Sequence, residues 1–537
     1  MRAAQDPSAA PALAGESSKI KPAAERQLGA QARPTIKHKA QAKAENRREV
    51  RVSLQIPEAL RPLLAKKIDE RIARNIAATK ALRSEAHDLL EKFIAESPAD
   101  ATEMPEALVR IGELEWEESR DKFLKEFQAW EKTPVDTRGD PPEQDYARPR
   151  ARFLRVLKNY KTFKEYDLAL YIDGFLANES GKPDEALGRF NKILEWFPKS
   201  RFVPDAHMMR AEFEFTQDAP NYQHAYDEYE QVLKYKDTEL YDIALFKSAW
   251  TLWRLGRTKE AAQRFLQVFQ ATEEGSANAK KRSRNELAEL QNEALKNLVA
   301  VFVEDEKNSA EDMYKFLVQA GGDKFAGRIV RALAEALYDQ AQYERGVEAY
   351  KLLLKLEPTS PDAYRYVLQI AAADSTMERW KLLDDDYKRA LKDYVEPLPV
   401  KQGQPPPQRS AWLQVQTPAT RGESETAVEK QLREDAVGLH AKAQADKVSR
   451  AEFVAAAALY RTYLSRFGAK AQAYDVSYNL ADICFYRLED AICAADAYLG
   501  AVRMKPNGPL ARTALYNALA SLEVARAAEF EAAKKAG

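Results

Sequence analysis

The chain has 537 residues, too many for one compact core and enough for about three or four ordinary domains. Its 82 basic and 83 acidic residues leave a net charge of −1, which removes any general pull toward nucleic acid or acidic membranes. Gly (20) and Pro (26) are sparse, which favours helix, and no run of about 18 apolar residues exists to make a transmembrane helix.

Residues 1–50 are rich in Ala, Pro, Lys and Arg and nearly devoid of large apolar side chains, so they read as a disordered basic tail. The cluster Lys37, Lys39, Lys43, Arg47, Arg48 and Arg51 lacks interleaved aromatics to stack on bases and reads as solvated. There is no apolar h-region of a signal peptide. Ala3-Ala4-Gln5-Asp6-Pro7 and the polar run after it nevertheless resemble sequence that follows a signal-peptidase site. Two readings stay open: Met1 is the true start, or it is a misassigned start downstream of a true signal.

Residues 57–131 read as an N-terminal helical repeat region. Ala86, Leu90 and Pro98 space an alanine, an apolar residue at +4 and a proline at +12, and a long amphipathic run then ends near Trp130. Pro134, Gly139, Pro141, Pro142 and Pro149 make 132–150 an exposed connection.

Residues 151–396 read as the central array. Gly-x(3)-Glu-Ala-x(3)-Phe occurs as Gly181–Glu185–Ala186–Phe190 and as Gly256–Glu260–Ala261–Phe265, with Ala225-x(3)-Tyr229 between them. The alanines Ala186, Ala225 and Ala261 are 39 and 36 residues apart, a period that points to a helical repeat array. Gly174 and Ala249, each twelve residues before the repeat alanine, mark where paired helices must approach closely. Asp218–Tyr222 lengthens one turn, and Ser309 with Asp312 spells a capping box. In 328–358 Gly346 replaces the alanine, with Tyr350 and Pro358 in place.

Six prolines (Pro397, Pro399, Pro405, Pro406, Pro407, Pro418) make 397–429 a linker, since they cannot sit in helix interiors. A C-terminal repeat block, 430–537, keeps the spacing at Ala456–Tyr460–Leu464–Gly468 and Ala494–Tyr498–Val502–Pro506, and Leu515–Lys535 reads as a last helix. Cys484 and Cys493 lack metal spacing and read as small buried residues rather than a disulfide framework, which leaves the redox compartment open.

Catalytic chemistry is hard to find. The histidines (His38, His87, His207, His224, His440) are scattered, and no zinc motif, nucleophile elbow or P-loop occurs. His207 and His224 fall on adjacent helices, but no carboxylate partner stands out, so they read as partly exposed helix residues. Asp384-Asp385-Asp386 reads as a solvated face and Gly321-Gly322 as a turn. The expectation is a non-enzyme with no cofactor, no metal and no nucleic-acid partner.

The recurring positions resemble the tetratricopeptide repeat in seven units covering most of 57–537, although the usual first-helix Trp is replaced by Leu170 and Leu245. That resemblance implies an all-α fold: a right-handed superhelical solenoid of tetratricopeptide-like helical hairpins. Phe197-Pro198-x-Ser200-x(3)-Pro204-Asp205-Ala206 and Tyr241-Asp242-x-Ala244-Leu245-x-Lys247-x-Ala249-Trp250 are further similar to repeat proteins of the bacterial cell envelope. Those include outer-membrane assembly, Tol-Pal-associated and deltaproteobacterial gliding-motility types. They imply a periplasmic scaffold with other envelope proteins as partners; if Met1 is the true start, a cytoplasmic adaptor or assembly chaperone on the same fold is the alternative. In such arrays the first helix of each pair lines the concave groove. The register places Tyr171, Phe175, Met208, Glu212, Phe215, Phe246, Trp250, Trp253 and Arg254 on or near it, with Phe215 and Phe246 equally readable as inter-repeat core. Trp250 and Trp253 share one helix face, so at least one should be accessible.

Overall fold

Alanine and glycine at fixed offsets, with Pro198, Pro358 and Pro506 past three of the second helices, produce antiparallel helical hairpins, and among the described residues there is no strand. The structure, a computed structural model, describes residues 61–273, 283–399, 407–445 and 450–536. The expected tail at 1–50, and Pro405 and Pro406, lie outside them. The chain divides into two compact units, one ending at Arg257 and the other beginning at Thr258.

In the first unit, α1 (Arg61–Glu96) and α2 (Met104–Lys132) are long helices rather than a short repeat pair. α3 (Ala147–Asn159) begins inside the expected connection: Pro149 and Arg150 are buried in its first turn, where a proline sacrifices no hydrogen bond. The hairpins α4 (Tyr166–Glu179) with α5 (Pro183–Trp196), and α6 (Val203–Thr216) with α7 (Tyr222–Val232), follow, and then α8 (Tyr241–Arg254). Gly181 turns the first hairpin at φ 69°. A Cβ on Gly174 would stand 3.0 Å from the Arg189 Cβ and 3.1 Å from the Phe190 ring, so the expected close approach is real. Asp173, fully buried beside it, is neutralised by Arg150 (3.1 Å) and Arg189 (2.7 Å), which joins α3, α4 and α5. A buried carboxylate demands such pairing.

The second unit holds α9 (Thr258–Ala271), α10 (Arg284–Glu304), α11 (Ala310–Gln319), α12 (Ala326–Asp339) and α13 (Tyr343–Leu356). It continues with α14 (Ala363–Thr376), α15 (Trp380–Tyr394), the short α16 (Ala411–Val415), α17 (Pro418–Ala445) and α18 (Arg450–Phe467). α19 (Ala473–Ile483), α20 (Ala491–Met504) and α21 (Ala511–Ala536) complete it. Ser309 and Asp312 form the expected capping box.

Two further expectations need correction. The stretch 397–429 is not all linker: Pro418 opens the 28-residue α17, again at a position that needs no amide hydrogen. Trp412 of α16 is buried against Tyr364 and Tyr394 and donates to the Ser360 carbonyl at 2.7 Å. Cys484 and Cys493 are not separate core residues but a disulfide across the α19–α20 turn, with Cα atoms 5.8 Å apart. A π-helical turn, Cys484–Leu488, and Glu489 at φ 58° bring α20 back so that residues nine apart in sequence face each other.

Gly346 shows how a departure from the repeat is absorbed. Where an alanine methyl would stand, the Tyr338 ring lies 2.3 Å away, packed edge-on against Tyr343 and Tyr350. Gly346→Ala should therefore lower stability by about 1–3 kcal/mol through overpacking. Gly188→Ala, in the interior of α5 with open space around it, should raise stability by about 0.5–1 kcal/mol. Thermal or urea melts of both variants test this pair.

Candidate functional site

The first helices of the first unit, α4, α6 and α8, carry the residues expected to touch a partner, and the structure sorts them into three groups. Tyr171 (3 % exposed), Met208 (8 %) and Phe246 (7 %) are buried. The Tyr171 ring stacks on Phe202 at 4.4 Å and its hydroxyl lies 3.4 Å from Asp205, so it is packing between successive hairpins.

Glu212 and Phe215 are partly buried and engaged within the unit. Glu212 accepts from the Tyr229 hydroxyl at 2.6 Å and pairs with Lys247 at 3.0 Å, linking α6 to α7 and α8. Phe215 meets Tyr222 edge-on at 5.4 Å across the lengthened turn.

Phe175, Trp250, Trp253 and Arg254 remain half-buried. Phe175 packs one side on Trp116 at 5.6 Å. The Trp250 and Trp253 rings lie 5.0 Å apart, inclined by 33°, on the last turn of α8 beside Arg254. Together they make a broad aromatic surface with a cation at its edge, the side-chain chemistry that anchors protein interfaces.

The histidines do have a carboxylate partner. Glu228 on α7 is buried and takes His207 Nδ1 at 2.6 Å, Arg210 at 3.0 Å and His224 Nε2 at 3.6 Å, while His224 Nδ1 meets Glu214 at 2.9 Å. Burial would raise the Glu228 carboxyl, but these three neighbours outweigh it and hold it below its ordinary value. The helical spacing of His224 and Glu228, four apart, is the signal that sequence reading passed over. The arrangement pins α6 to α7.

Among the described residues, His87, Glu91 and Glu115 are grouped closely enough to suggest metal ligands. Two guanidiniums already fill that space: Arg148 reaches Glu115 at 2.9 Å and His87 at 2.9 Å, and Arg152 reaches Glu115 at 2.9 Å and also Glu91. The donor set thus fits an ion-pair network between α1, α2 and α3.

The three aspartates of α15 point three ways, as helical geometry requires. Asp385 is exposed, Asp384 is buried against Thr462 (2.6 Å) and Lys388 (2.7 Å), and Asp386 turns toward buried Asp374 of α14. Only Asp385 fits the expected solvated face. Burial and the Asp374 carboxyl, opposed by Lys351 and Arg389, push Asp386 up to about 7. Because the folded-state value lies above the ordinary 3.8, this carboxyl favours folding fully below about pH 4 and progressively less as pH rises toward 7. Asp386→Asn should flatten that slope and stabilise the protein at pH 8 by about 1–3 kcal/mol, measured by melts across pH.

No protein-family model matches the chain, and no curated protein does. Among solved structures, a chain of the structure of Naa15/Naa10 bound to HypK-THB is similar at 15% identity over 82% of this chain and 68% of that one, with a TM-score of 0.27. At that score the likeness carries no argument about this protein's site; the tetratricopeptide-like hairpins are read from its own residues.

Proposed function

We propose that this protein is a non-catalytic interaction scaffold that holds a segment of a partner protein against the first helices of its first unit. The observation that carries the reading is the half-buried Trp250–Trp253 pair with Arg254 at its edge and Phe175 two hairpins earlier. Rigid helices present these side chains, so little ordering entropy is spent on capture. The titratable clusters of the first unit are consumed by packing: Glu212, Glu228 and Asp173 each hold helices together. The Trp250→Ala, Arg254→Ala double variant should weaken partner capture about tenfold or more while its thermal melt stays within a few degrees of the parent. Unchanged capture would sink the assignment of this face.

For the setting we propose a bacterial cell-envelope or motility complex, on the resemblance carried by 197–206 and 241–250. The Cys484–Cys493 disulfide favours this over a cytoplasmic adaptor, because cytosolic thiols are kept reduced and disulfides persist in oxidising compartments. Alkylation of the native protein in acid-quenched cells should leave both cysteines unlabelled until a reductant is added. Two freely labelled thiols would move the cytoplasmic adaptor ahead.

A further inference from the structure

The second unit contains an open cleft of about 700 Å³ whose walls carry Lys388, Lys392, Arg461 and Arg466. α15 contributes Asp384, Lys388, Leu391 and Lys392; α18 contributes Ala458, Arg461, Thr462, Ser465 and Arg466; Leu398, just beyond α15, also lines it. Each set repeats at helical spacing, so each helix offers one continuous face. α15 and α18 are the second helices of successive hairpins, and among the described residues no first-helix residue lines the cleft. It therefore lies on the second-helix side of its unit, whereas the aromatic face of the first unit is built from first helices.

The charges do not cancel. Among the described residues Asp384 is the one carboxylate in the lining, and its two oxygens are occupied by Thr462 and Lys388. Arg466 is directed away, to the Glu396 carbonyl and, at 3.6 Å, Glu425. Exposed Lys392 and Arg461 have no carboxylate partner among the described residues; Arg461 rests only against the sulfurs of Cys493 (3.0 Å) and Cys484 (3.7 Å). Beside these cations the lining carries apolar Leu391, Ala458 and half-exposed Leu398, together with Thr462 and Ser465. A single inorganic anion would satisfy the charge and leave those apolar side chains wet. A chain bearing several carboxylates around an aliphatic side chain would cover both, and its charge would be complementary to the walls.

We propose that the α15–α18 cleft is a second docking site, which takes an acidic segment of a partner protein with an aliphatic residue seated between its carboxylates. The site is independent of the α4, α6 and α8 face, so it stands or falls separately from the function proposed above.

The test is fluorescence anisotropy of the full chain with a labelled short peptide of glutamates flanking a leucine, against its glutamine counterpart and against a glutamate peptide with serine at the centre. The glutamate–leucine peptide should bind at least about tenfold more tightly than either, and its affinity should fall as salt rises. Lys392→Glu should weaken it about tenfold, Lys392→Glu with Arg461→Glu further, while Lys381→Glu, the same charge change elsewhere on α15, should leave it within about twofold. Lys392 is exposed, so that single variant reports binding even if the Arg461 change disturbs the neighbouring disulfide. Equal binding of the glutamine peptide, or indifference to Lys392→Glu, would overturn the site. Equal binding of the serine peptide would reduce it to an unspecific anion site, and tighter binding of a single-stranded oligonucleotide would replace the protein partner with nucleic acid; either result rejects the proposal.

Discussion

Everything in this protein depends on how closely the two helices of a hairpin can cross. Helices of ordinary surface pack about 8–10 Å apart, and only a position nearly without a side chain lets one helix receive a large ring from the other. Gly112 receives Phe153, Gly174 receives Phe190, and Gly346 receives Tyr338. Ala211, Ala249 and Ala334 are completely buried in first helices, and Ala186, Ala225 and Ala261 are buried in second helices. The small residue and the ring opposite it form one device, and repeating that device turns a helical chain into an array.

A second regularity follows once the rings are in place. The aromatic four residues beyond the repeat's small residue is sometimes Phe (Phe190, Phe265) and sometimes Tyr, and burying a tyrosine brings a hydroxyl that needs a partner. Tyr229 finds Glu212 at 2.6 Å, Tyr460 finds His440 at 3.2 Å, and Tyr498 finds Asp482 at 2.5 Å. In each case the partner sits on the preceding first helix. Burial, with the carboxylate beside it, pushes the Tyr229 and Tyr498 hydroxyls above their ordinary range, so they stay protonated as donors. Glu212 therefore spends its carboxylate inside the array, although its place on a first helix had suggested a contact with a partner.

The hairpins were legible because their signal is local and recurs: offsets of four and twelve, glycine turns and the Ser309–Asp312 cap. What sequence could not reveal depends on which long-range neighbour each side chain meets. Cys484 and Cys493 looked like independent core residues because the π turn that folds nine residues back on themselves leaves no compositional trace. Prolines made 397–429 look like a break, yet Pro418 stands where a helix can begin. His207 and His224 looked unpartnered because Glu228, 21 residues from one and four from the other, stood among many other glutamates. Of the expected contact residues, Tyr171, Met208 and Phe246 went to the core, since helical register alone does not distinguish a face turned to solvent from one turned to the next hairpin.

Two accessible surfaces differ in chemistry: half-buried aromatics with Arg254 on first helices of one unit, and a basic cleft on second helices of the other. Site-specific photocrosslinking in the protein's own cells tests the scaffold account most directly. A photoreactive residue would be placed in turn at Phe175, Trp250 and Trp253 and, as controls on second helices of the same unit, at Lys192 and Gln231. The account predicts that one and the same protein is captured from the three first-helix positions and not from the two controls. Capture from both helices alike, or from none of the three first-helix positions, would contradict it.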